Sequence, residues 1–132
     1  MPCRGYFSVD SLRGVLVLVV DSNPRGRETL REILSYCGAL VTPTASVVEA
    51  AGVMRQVKPD VLIVALPEDD DVAFIRDVRS LKPEDGGVVP AIPIARDADD
   101  DLDRSRGYQA SLRTPIDPWE LCRLVSSLMT VR

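Results

Sequence analysis

Two stretches of this chain, residues 15–20 (Val-Leu-Val-Leu-Val-Val) and 61–65 (Val-Leu-Ile-Val-Ala), contain no polar side chain. A strand with one wet face alternates apolar and polar residues. A strand that is apolar throughout has both faces covered, as in parallel sheets flanked by helices. The first run stops at Asp21, Ser22, Asn23 and Pro24, and the second is followed by the acidic residues 68–71. Both runs are too short to cross a bilayer, so they belong in the interior of a folded domain.

The segments between such runs carry helical signals. Asn23 is a helix cap followed by Pro24 at the first helical position, and Leu30, Ile33, Leu34 and Cys37 recur on one face until Gly38 stops the helix. Residues 40–42 form a short strand. Ser46 and Glu49 then make a capping box for a helix that buries Val47, Ala50, Ala51 and Met54. After residues 61–65, the acidic segment 68–71 reads as a solvated loop leading into a helix with Val72, Ile75 and Val78 inward, and Gly86 and Gly87 mark a later loop. Residues 91–95 form a fourth strand, weakened by Pro93. Residues 97–106 form a short helix anchored by Leu102, and residues 109–113 a fifth strand. Asp117, Pro118 and Glu120 begin a last helix burying Leu121, Leu124, Val125 and Leu128, with Trp119 and Cys122 away from that stripe. Repeated βα units joined by right-handed crossovers give an α/β fold with helices on both faces of a parallel sheet. Ligands of such folds meet the carboxyl edge of the strands.

The 132 residues accommodate one domain, assigned to residues 15–132, with 1–14 as a linker or N-terminal extension. Several functions are excluded. The net charge is -4, and no stretch interleaves basic with aromatic residues, so nucleic acid is not an expected partner. Histidine is absent, which removes Ser/His/Asp catalysis, His-ligated zinc and a phosphohistidine. Cys3, Cys37 and Cys122 are odd in number and show no CxxC spacing, which suits a reducing compartment; cytoplasm is the expected location. Cys37 and Cys122 are expected as packing residues and Cys3 as exposed. With no signal peptide or spanning segment evident, no membrane contact is expected of the domain.

Three strings in order carry a resemblance. They are Val19-Val20-Asp21-Ser22-Asn23-Pro24, Pro59-Asp60-Val61-Leu62-Ile63-Val64-Ala65-Leu66, and Thr114-Pro115-Ile116-Asp117-Pro118-Trp119-Glu120-Leu121. Over about residues 15–130 the chain resembles the receiver domains of two-component response regulators. The resemblance implies a flavodoxin-like, doubly wound, five-stranded parallel sheet in the order 2-1-3-4-5. It also implies a Thr114–Pro115 peptide bond in the cis form. Family receivers accept a phosphoryl group on an aspartate ending strand three, beside a magnesium ion held partly by an acidic pair after strand one. A Ser or Thr ends strand four, and a Lys precedes the proline after strand five.

Here the acceptor position falls on Ala65, whose methyl group has no lone pair with which to form an acyl phosphate. Of the acidic pair only Asp21 remains, beside Ser22. The Ser/Thr position falls on Ala95 and the Lys position on Thr114. Asp21 is open to two readings, a residual weak magnesium ligand or a carboxylate favoured by a helix terminus. Asp60, at the start of strand three, lies roughly 16 Å from the carboxyl edge at about 3.3 Å per residue, too far to replace the acceptor. Asp69, Asp70 and Asp71 lie on the correct side, in what reads as a solvated loop.

The resemblance therefore implies a phosphorylation-independent receiver-like module, not an enzyme and with no resident cofactor, that acts through protein contacts in a two-component or phosphorelay system. The string Ser11-Leu12-Arg13-Gly14 resembles the lead-in of receivers attached to hybrid histidine kinases. Partners implied are a signalling protein or an attached kinase or output domain, with homodimer formation through the face of the last two helices and strand five. Trp119 and Arg113 are the candidate contacts. The competing reading is a working receiver with a non-standard acidic acceptor. A flavin or nucleotide binder is disfavoured, because residues 21–27 hold one glycine and no phosphate-cradling pattern.

Overall fold

The computed structural model describes residues 12–95, 112–113 and 116–130. In chain order these form β1 (Leu16–Asp21), α1 (Pro24–Tyr36), β2 (Leu40–Thr44), α2 (Val47–Gln56), β3 (Val61–Ala65), α3 (Glu68–Arg79), β4 (Ala91–Ala95), β5 (Leu112–Arg113) and α4 (Pro118–Thr130). The strands make one sheet in the order β2-β1-β3-β4-β5, and every described pairing is parallel. This is the expected α/β doubly wound architecture. The helix expected at residues 97–106 and the Thr114–Pro115 bond lie outside the described residues, as do Cys3 and most of the expected fifth strand.

The two apolar runs do what their composition requires. Successive side chains of a strand point to opposite faces. Val17, Val19, Val61, Ile63, Ala65, Ile92 and Ile94 accordingly share one core with Leu30, Leu34, Leu121 and Val125 from α1 and α4. Leu18, Val20, Leu62, Val64 and Ala91 join Ala50, Met54, Phe74, Ile75 and Val78 from α2 and α3 on the other face. Each face is covered by two of the described helices, so a polar residue within 17–20 or 61–65 would have no solvent to reach.

Local signals set the helix ends. Asn23 Oδ1 accepts from the N–H of Arg25 at 2.9 Å and of Gly26 at 3.4 Å, capping α1 where Pro24 has no N–H to offer. Gly38, at φ 96°, takes the left-handed conformation that turns the chain out of α1. At α2, Ser46 Oγ accepts from the Glu49 N–H, while Glu49 Oε1 reaches back to the N–H of Ala45 rather than that of the cap residue. Both prolines within strands are accommodated by their position. Pro43 lies in β2, an edge strand with one unpaired side. Pro93 precedes the described pairing of β4 with β5, which begins at Ile94.

Three expectations are corrected. Residues 68–71 are not a loop: they form the first turn of α3, and Asp71 is 7% exposed with its N–H bonded to the Pro67 carbonyl. A proline at position 67 places the chain in extended backbone and helix begins directly after it. Cys122 does not point away from the inward stripe. It is buried beside Leu121 and Val125, because α4 packs on α1 as well as on the sheet and so needs an apolar arc wider than one row of side chains. Leu12, within the segment given no role in the fold, is completely buried; its N–H donates to the Cys37 carbonyl at 2.9 Å.

Candidate functional site

At the carboxyl edge, Asp21 closes β1 and Ala65 closes β3, and the two are ladder partners. By strand parity their side chains lie on the α1/α4 face of the sheet. Ala65 is 1% exposed, its methyl group part of the core. Asp21 is 2% exposed, one of the few buried charged residues.

The surroundings of the Asp21 carboxylate come from the start of α1. Oδ1 accepts from the Asn23 N–H at 2.9 Å. Oδ2 lies so close to Gly26 that a Cβ at that position would be 2.5 Å away. Arg27 arches back from the same turn, its Nη1 donating to the Asp21 main-chain carbonyl at 2.9 Å. Thr44, buried at the end of β2, donates through Oγ1 to the Val19 carbonyl at 2.7 Å and ties the neighbouring strand end to β1. Asp21 is thus a negative group set against the amino end of a helix, where peptide dipoles and free N–H groups favour charge of that sign.

A tightly held divalent ion wants several oxygen ligands at once. Its ladder partner is hydrocarbon, one oxygen of Asp21 accepts a backbone hydrogen bond, and the other faces Gly26. The donor set does not fit a resident magnesium ion. Among the described residues no group of three or more His, Cys, Asp or Glu side chains is placed to share a metal. Asp70 is exposed and Asp71 buried in the first turn of α3. Asp60 sits at the opposite end, where its Oδ2 accepts from the Leu16 N–H at 2.8 Å and its own N–H donates to the Leu16 carbonyl at 2.7 Å. It staples the beginnings of β1 and β3 and takes no part in the edge.

Of the remaining expected site residues, Ala95 ends β4 and Arg113 ends β5 as register partners. Thr114 lies outside the described residues. Trp119 is 56% exposed on α4, where its N–H is held by Asp117 Oδ1 at 3.0 Å, so that residue caps the helix as predicted. Its ring borders a groove of about 400 Å³ between α1 and α4, facing the exposed Tyr36. The sequence does not flag Tyr36, Gly26, Arg27 or Thr44. Only Gly26 leaves a trace there: a glycine in the first turn of a helix costs stability unless something approaches its backbone closely.

Among known proteins, the chain is 38% identical over 114 residues to an uncharacterized 14.6 kDa protein in the sodA1 3' region of Leptolyngbya boryana, spanning 83% of this chain and 86% of that one. No family model matches. Among solved structures, it is similar to the receiver domain of a sensor histidine kinase from Pseudomonas aeruginosa with magnesium coordinated in its active-site cleft. That similarity has TM-score 0.78 and 25% identity, and covers 89% of this chain and 98% of the other. A receiver domain of a signal transduction histidine kinase from Syntrophus aciditrophicus superposes with TM-score 0.76 at 22% identity, over 89% and 92% of the two chains. The chemotaxis response regulator CheY4 of Vibrio cholerae does so with TM-score 0.75 at 20% identity, over 86% and 98%. These last two share the fold.

Proposed function

Because this chain is related to the Leptolyngbya boryana protein and shares its fold with solved receiver domains of histidine kinases, we propose that it is a receiver-like signalling module that works without phosphorylation, through contacts with other proteins. The observation that carries the reading is the pairing of Asp21 with Ala65. At the position proposed for the phosphoacceptor stands a buried methyl group, and the acidic residue opposite is occupied by the helix that follows it. Phosphoryl transfer needs a nucleophilic oxygen, a cation to offset charge, and both held in place. The first is absent from Ala65, and Asp21 offers a cation no more than a weak contact. Ala95 and Thr114, proposed at the positions of the switch hydroxyl and the lysine, extend the same loss.

In this reading the domain keeps the receiver shape as a scaffold and contributes no catalysis of its own. Its partner is a signalling protein or an attached kinase or output domain in the cytoplasm, or a second copy, met through the α4 face that exposes Trp119 and ends β5 at Arg113. An exposed tryptophan offers large apolar area at small entropic cost, which is why such residues dominate protein interfaces.

The test is incubation with acetyl phosphate or beryllofluoride in the presence of magnesium, read by intact mass and amide NMR. No adduct and unchanged spectra are expected. A stable adduct on any acidic residue, Asp70 and Asp71 included, overturns the reading in favour of a working receiver with a substitute acceptor.

A further inference from the structure

We propose that Cys37 and Cys122 form an oxidisable dithiol site, closed by hydrogen peroxide into an intramolecular disulfide that ties the end of α1 to α4. Their sulfurs lie 2.8 Å apart although the residues are 85 positions apart in the chain. That is closer than two sulfurs packed side by side without sharing a proton or a bond. Cys37 caps the carboxyl end of α1, and Cys122 stands one turn into α4, its Sγ 4.0 Å from the Ile33 carbonyl. Neither residue takes part in the Asp21–Ala65 edge.

Both cysteines are buried, at 3% and 1% exposed, yet both line the groove that Glu32, Tyr36, Pro118 and Trp119 border. The groove has a volume of about 400 Å³, is bordered by two exposed aromatic residues, and has both cysteines in its lining. A buried packing cysteine needs only an apolar neighbour. Two cysteines brought from the end of α1 and from α4 to one point in the lining of a groove form a site with its own chemistry.

One sulfur, as thiolate, attacks a peroxide oxygen; the O–O bond breaks, the departing hydroxide takes up the thiol's proton as water, and a sulfenic acid remains. The second sulfur then attacks the first, the S–O bond breaks, and the hydroxide leaves with the second thiol's proton as another water. Two thiols lose two electrons, and one peroxide is reduced to two waters. Burial, followed by the neighbouring Cys37 thiol, holds the Cys122 thiol well above its ordinary pKa. The Cys122 thiol is therefore neutral at physiological pH, and closure is faster in base.

The experiment uses the full chain carrying Cys3→Ser, so that only these two sulfurs remain. The native protein is treated with hydrogen peroxide, quenched, denatured and alkylated. The expected result is loss of two hydrogens in intact mass with no alkylation, a Cys37–Cys122 linked peptide after digestion, and reversal by a dithiol reductant. Closing so long a loop should raise Tm by about 10 °C. The site is overturned if both thiols are still fully alkylated after a treatment that couples them in denaturant, or if the sulfurs gain oxygen without linking. The wild-type pair is read directly, so no outcome depends on a variant of Cys37 or Cys122 folding.

Discussion

Asp21 and Ala65 face each other across the parallel ladder of β1 and β3, one buried carboxylate beside one buried methyl group at the edge where this architecture places its chemistry. Neighbouring strands lie about 4.8 Å apart, so any side chain introduced at 65 arrives next to Asp21.

Ala65→Asp should therefore place two carboxylates in one buried site. Like charges at that separation resist joint ionisation, and the variant should unfold at lower temperature than the wild type in EDTA, by several degrees. Magnesium should recover much of the loss in the variant and leave the wild type unchanged. Thermal melts with and without the ion are the measurement. A wild-type Tm that rises with magnesium as strongly as the variant's would show that Asp21 already holds a cation.

Gly26→Ala would normally strengthen a helix by nearly 1 kcal/mol. Here the added Cβ would stand 2.5 Å from Asp21 Oδ2, so the substitution should destabilise by about 1–2 kcal/mol. Asp21→Ala alone should cost about 1 kcal/mol through the lost interaction with the start of α1. In the double variant the clash disappears, and denaturant unfolding should show coupling of about 1 kcal/mol in favour of the pair.

Leu12→Ala should cost about 2–4 kcal/mol, the usual range for truncating a fully buried leucine. A change below about 0.5 kcal/mol in urea unfolding would mean that residue 12 belongs to a linker instead of the packed domain.

Cys122 gives a pH dependence with a definite sign. Its thiol pKa is raised in the fold, so the protonated form is favoured there, and this contribution is fully present below the unfolded thiol's value near 9.0. As pH rises past that value the unfolded chain ionises first, and stability should fall by up to about 1.4 kcal/mol per pH unit from this group. Comparing melts between pH 8 and 10.5 for reduced wild type and Cys122→Ala isolates the effect: the variant should lose the steeper part of the decline.

The sequence by itself determined the layers of this protein. Residues 15–20 and 61–65 are apolar throughout, and only a sheet covered on both faces hides every one of those side chains. Asn23, Ser46 with Glu49, and Asp117 fixed helix starts within a residue, because capping is a contact between neighbours in the chain. The alanine at 65 was visible too, since the lack of an oxygen is a property of the residue alone.

What only the tertiary structure decided are contacts between distant segments. That Asp21 turns into the first turn of α1, that Asp60 staples the opposite edge, that the acidic residues 68–71 wind into helix, and that Leu12 is buried all depend on where other elements come to rest. The meeting of Cys37 and Cys122 is the clearest case. Each looked like a packing residue on its own helix, and no periodicity links positions 85 apart; the packing of α4 against α1 puts their sulfurs within a hydrogen bond of each other.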